Sequence, residues 1–79
     1  MTHDEAVAKH RDAWKVAKDA AIKAGTALNE ARGKIHRART DRGRARAVKV
    51  ANDLSRVYEV ACRAVDDIEV AMVVDGAVL

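Results

Sequence analysis

Proline and phenylalanine are absent from this 79-residue chain, and cysteine, tryptophan and tyrosine occur once each. Each scarcity excludes something. A single thiol, Cys62, forbids an intrachain disulfide and suits a reducing compartment better than a secreted setting. With no proline and only four glycines, few positions interrupt a helix. Two aromatic residues, Trp14 and Tyr58, leave little for base stacking. No run reaches the ~18 apolar residues of a membrane span, and the charged segment from Met1 to His10 lacks the apolar core of a signal peptide. The expectation is one small cytoplasmic domain, covering residues 1–79, with no membrane association. A chain this short buries only about 60% of the surface its unfolded form exposes, so its core is marginal and a partner is the natural support.

What is abundant is alanine, valine and charge. Hydrophobic residues make up 49% of the chain and charged residues 34%, a composition that reads as all-α. Thr2-His-Asp-Glu5 has the form of a capping box, with the Thr2 hydroxyl accepting from the Glu5 amide while Glu5 reaches back. A seven-residue period then runs on without slipping. Val7, Trp14, Ala21, Leu28 and Ile35 form one column; His10, Ala17, Ala24, Ala31 and Ala38 a second; Ala6, Ala13, Ala20 and Ala27 a third. The period predicts helix 1 over about residues 3–39. A break near Gly25, with Thr26 capping a new helix, is the alternative.

Thr40-Asp41-Arg42-Gly43 is the one mid-chain cluster with turn chemistry and is read as the turn, 40–43. The period then returns. Ala51, Tyr58, Val65 and Met72 form one column; Ala47, Leu54, Ala61 and Ile68 another; Val50, Val57, Ala64 and Ala71 a third. Helix 2 is expected over about 44–73, stopped by Asp75-Gly76, with an apolar tail over 74–79 that either packs or docks elsewhere. A short link between long helices makes an antiparallel hairpin with an alanine-rich heptad seam. Three apolar columns per helix exceed what one seam covers, so the hairpin is expected to dimerise into a four-helix bundle. The residues assigned to assembly are Trp14, Leu28, Ile35, Leu54, Tyr58, Val65 and Ile68.

Charge is segregated. Residues 1–31 carry five basic and five acidic groups; residues 32–49 carry eight and one, net +7; residues 50–79 carry two and six, net −4. A hairpin turns this into a bar with one basic tip and one acidic end. Three readings follow. The tip, through Arg37, Arg39, Arg42, Arg44 and Arg46, takes an acidic protein partner; or it contacts the phosphates of RNA or DNA as a small regulator; or the charges pair inside an oligomer and the protein is purely structural. The basic block contains no aromatic residue, which counts against sequence-specific nucleic-acid reading. Val50 to Tyr58 loosely resembles a helix-turn-helix with Ser55 as N-cap, but Asn52 stands where an apolar residue is wanted.

Nothing forms a catalytic or metal constellation. His3 and His10 are seven apart, not the four that brings two imidazoles to one ion, and His36 belongs to the basic tip. Cys62 has no histidine near it in sequence, and Asp66 and Asp67 point about 100° apart on a helix. No catalytic residue, metal, cofactor or small-molecule substrate is therefore assigned, and a non-enzymatic interaction or regulatory module is the expectation.

Overall fold

The structure, a computed structural model, describes residues 1–78; Leu79, part of the expected apolar tail, lies outside the described residues. It is a hairpin of two α-helices, α1 (His3–Arg37) and α2 (Asp41–Val74), and no strand occurs among the described residues. The helices lie side by side as a rod with Cα extents of 57 × 15 × 14 Å. No helix among the described residues is long and apolar enough to cross a membrane.

Each helix starts where a threonine supplies an acceptor. Thr2 takes an extended conformation; its hydroxyl accepts from the Glu5 N–H at 3.3 Å and donates to the Glu5 carboxylate at 3.0 Å. Glu5 thus returns to the Thr2 hydroxyl, a variant of the expected box. Thr40 does the same for α2, accepting from the Gly43 N–H at 3.0 Å. That bond corrects the expected turn. The link is only residues 38–40, and Asp41, Arg42 and Gly43 form the first turn of α2. Turn-forming and N-capping residues are the same types, and here Thr40 caps.

α1 runs unbroken through Gly25 and Gly33, and α2 runs unbroken through Asn52 and Ser55, so neither the break at Gly25 nor the helix-turn-helix is present. An extended helix survives these glycines because the seam contacts on either side continue in register. A Cβ at Gly25 would stand 3.6 Å from Tyr58 Cε1, an ordinary contact, so the glycine is not forced by crowding.

The first two columns of each helix form the seam. Leu28, Ala31, Ala51, Val65 and Met72 are buried there, and Trp14, Ile35, Leu54, Tyr58 and Ile68 are half-buried. The third columns fare differently. Ala6 is fully buried, but Ala13, Ala20, Val50, Val57 and Ala64 are exposed.

The open end is closed by the tail. Gly76 adopts φ +116°, a left-handed value that glycine tolerates, and so ends α2. The Ala77 N–H then donates to the Met72 carbonyl at 2.9 Å, and Ala77 packs into a buried cluster with Ala6 and Met72. The Val78 N–H donates to His3 Nδ1 at 2.9 Å. The tail is thus tied to its own hairpin through Ala77 and the Val78 N–H, while the Val74 and Val78 side chains stay exposed.

Candidate interaction surfaces

The basic tip is built by the link and the helix ends beside it. Arg37 is the last residue of α1, Arg39 lies in the link, and Arg42, Arg44 and Arg46 fall in the opening turns of α2. All five are exposed, as are Arg32, Lys34 and Lys49. None forms an intrachain ion pair: the two ion pairs among the described residues both involve Asp75, at the opposite end of the rod. Helix electrostatics account for only part of the cluster. Lys34, His36 and Arg37 in the last turn of α1 complement its dipole, whereas Arg42, Arg44 and Arg46 oppose that of α2. The last turn of α2 has no basic residue. Each exposed mismatch costs a few tenths of a kcal/mol, so the placement is not explained by helix stability.

The open end carries the only concentrated polar network among the described residues. Asp75 Oδ2 accepts from Lys9 Nζ at 2.9 Å and from His10 Nε2 at 2.7 Å. The hydrogen bond from His10, and then that from Lys9, hold the Asp75 carboxyl below its ordinary pKa. Sequence reading treated Asp75 as a stop signal and part of an acidic end. Its partner role arises only because the hairpin returns residue 75 to the level of residues 9 and 10.

The seven residues assigned to assembly all line the seam between α1 and α2. Trp14 fills space beside small neighbours, donates its indole N–H to Glu69 Oε1 at 3.2 Å, and lies under Lys18 Nζ at 5.7 Å from the ring centroid. Tyr58 faces Gly25 across the seam. Hydrogen bonding to the Cys62 thiol raises the Tyr58 pKa above its ordinary value.

The two flanks of the hairpin differ in chemistry. On one, a groove mixes Lys18, Asn29, Asp66 and Glu69 with Ala21, Ile22, Tyr58 and Val65, and Glu69 also borders two apolar grooves, one over Val70, Val73 and Val74 and one over Val7, Trp14 and Met72. On the other, Lys34 and Arg46 stand beside Val50 near the tip. Lys34 continues the α1 column of Ala13, Ala20 and Ala27, and Val50 begins the α2 column of Val57 and Ala64. The third columns of both helices therefore share this flank. Sequence reading grouped these residues by period but assigned assembly to the larger side chains of the seam. Exposure across a hairpin, which a period alone does not give, separates the two sets.

Among the described residues no three His, Cys, Asp or Glu side chains converge on a common point. No family model, curated protein or solved structure matches the chain.

Proposed function

We propose that this protein is a non-enzymatic helical interaction module that self-associates through its helical faces as a homodimer and uses its basic tip to hold an acidic protein partner. One observation carries the reading: eight cations within residues 32–49 stand exposed and none forms an ion pair among the described residues, while the ion pairs gather at the far end. A cluster left unpaired against the dipole of α2 raises local potential, and a short acidic segment relieves it. Confinement of the charge favours a compact acidic partner over a long nucleic acid. A polyanion lying along the rod would leave the tip and meet Asp66, Asp67 and Glu69, and the tip offers no aromatic ring for a base.

The test measures binding of poly-L-glutamate, generic RNA and duplex DNA at low and moderate salt, comparing wild type with Arg42→Ala/Arg44→Ala/Arg46→Ala. Poly-L-glutamate binding that weakens with salt and is lost in the variant is expected. Preference for RNA or DNA with a steep salt slope would replace this reading with the nucleic-acid one. No binding by either form would leave a structural assembly protein with charges paired inside the oligomer.

A further inference from the structure

We infer that the flank carrying Ala13, Ala20, Val50, Val57 and Ala64 is the seat of a second copy of this chain, packed with its basic tip at the opposite end of the rod. The inference rests on the self-association proposed above and adds its face, orientation and register.

The face is chosen by the contrast between flanks. Val50 is 50% and Val57 55% exposed, and both stand in a column otherwise made of alanine. The opposite flank also carries exposed Ile22, Val70 and Val73, but it interleaves them with Lys18, Asp66 and Glu69, groups that lose hydration when covered. Alanine at Ala13, Ala20 and Ala27 lets a second α1 approach to the low end of helix spacing, about 8 Å. Size fits as well. A face 57 Å long and 15 Å wide corresponds to on the order of 800 Å², the share each partner contributes to a standard interface.

Charge chooses the orientation. Two hairpins stacked on this face with two-fold symmetry have either their tips together or their tips apart. Tips together would set two segments of net +7 side by side, each with eight basic groups and one acidic. Tips apart sets each basic tip at the level of the acid-rich C-terminal half of the partner's α2, within the segment of net −4, although Asp66 and Glu69 themselves line the opposite flank and act through the net charge of that end, not through direct pairs. Lys34 and Arg46 lie on this flank and meet the partner. Arg39 and Arg42 do not line the groove on this flank and are left to an acidic ligand.

Register follows from the hairpin together with helix overlap: axes at 16.5 and 67.5, or at 30.5 and 53.5, also meet the level rule below, but each leaves more than half of one helix without a counterpart. Trp14 is level with Glu69, Lys9 with Asp75 and Gly25 with Tyr58, so level positions add up to 83 or 84. In a tips-apart dimer like helices pair, α1 with α1 and α2 with α2, each antiparallel across the same two-fold axis. An axis midway between Ala20 and Ala27 on α1, position 23.5, must cross α2 at the same level. Midway between Val57 and Ala64 is position 60.5, and 23.5 and 60.5 add up to 84, the level rule set by the hairpin contacts. One axis therefore sets Ala20 against Ala27 of the second copy, Val57 against its Ala64, and Val50 against its Ala71. Each valine meets an alanine, and Val60 falls beside the axis.

Sedimentation equilibrium at micromolar concentration tests the face. Wild type is expected at twice the 8.6 kDa chain mass, with a melting temperature that rises with concentration. Val57→Glu, and independently Val60→Glu, are expected to abolish both, whether the separated hairpin stays helical or melts. Ile22→Glu, on the opposite flank, is expected to leave both unchanged. Orientation is tested by oxidising Val60→Cys in a Cys62→Ser background, with a disulfide-linked dimer expected. A wild-type mass of one chain, or dissociation by Ile22→Glu with Val57→Glu still dimeric, would overturn the face. A dimer that Val60→Cys does not cross-link would overturn the orientation. Poly-L-glutamate binding separates this inference from the tip reading. Its failure with the dimer intact sinks the tip alone, and its survival in a monomeric Val57→Glu chain sinks neither the tip nor the face.

Discussion

Replacing Gly25 with alanine should make this protein more stable, although the residue sits half-buried at the helix–helix seam. Three quantities set the sign. Glycine in a helix interior is less favourable than alanine by up to ~1 kcal/mol, because it surrenders more backbone freedom on folding. The new methyl would stand 3.6 Å from Tyr58 Cε1 and 3.8 Å from Cζ, within ordinary van der Waals contact, so no side chain must move. It also removes some ring surface from water, a further few tenths of a kcal/mol. For a chain of this size about 1 kcal/mol corresponds to roughly 4–8 °C in Tm. Thermal melts followed by far-UV circular dichroism, at one fixed protein concentration, measure it. A lowered Tm would refute this, because it would mean that the Tyr58 ring stands closer to α1 than 3.6 Å from the new methyl. The counterpart is Gly76→Ala, the same chemical change at φ +116°, where a Cβ would meet the Met1 carbonyl oxygen at 2.5 Å. There the expected sign reverses, with a loss of roughly 1–2 kcal/mol from the left-handed backbone alone.

Other expectations follow from the caps and the clasp. Thr40→Ala removes the acceptor for the Gly43 N–H and should cost about 0.5–2 kcal/mol, read as a lowered urea midpoint with unchanged slope. Asp75→Asn should lower Tm at neutral pH by weakening the contacts to Lys9 and His10. Because folding lowers the Asp75 pKa, its contribution is complete above the ordinary carboxylate value of about 3.9 and disappears as pH falls through the folded value. Wild type should therefore lose stability on acidification in a step that Asp75→Asn lacks; an identical acid profile for the two chains would refute the clasp. Leu28→Ala removes the one large buried side chain of α1 and should cost about 2–5 kcal/mol, enough to leave much of this small domain unfolded at room temperature.

The seam was the most legible feature, because a heptad of Val7, Trp14, Ala21, Leu28 and Ile35 states both the helix and the face it buries. The first cap was equally legible, since Thr2 and Glu5 sit at the spacing a capping box requires. The second cap was misread for a physical reason: Thr40-Asp41-Arg42-Gly43 satisfies the chemistry of a turn and of a helix start alike, and only the chain direction after Ala38 decides. The clasp was not legible. His3, Lys9 and His10 are 65–75 residues from the groups they hold, and their meeting depends on two helices of almost equal length. The basic tip was visible as composition, but its lack of internal partners is a fact of three dimensions. So is the division of the third columns, where Ala6 is covered by Ala77 while Ala13 and Ala20 are not.

The tie between the two ends has a mechanical consequence. Residues 3 and 78 are joined at one end of a rod 57 Å long, and the connection between the helices lies at the other. A tension applied to the chain at both sides of this domain pulls perpendicular to the helix axes. It loads one level of contacts at a time and never the whole seam in parallel. The Asp75 clasp and the Ala77 plug yield first, then Trp14 with Glu69, then Gly25 with Tyr58, and the three-residue link last. Such a domain peels open at low force and closes again from the link outward, each step requiring only a short loop already formed by the one before.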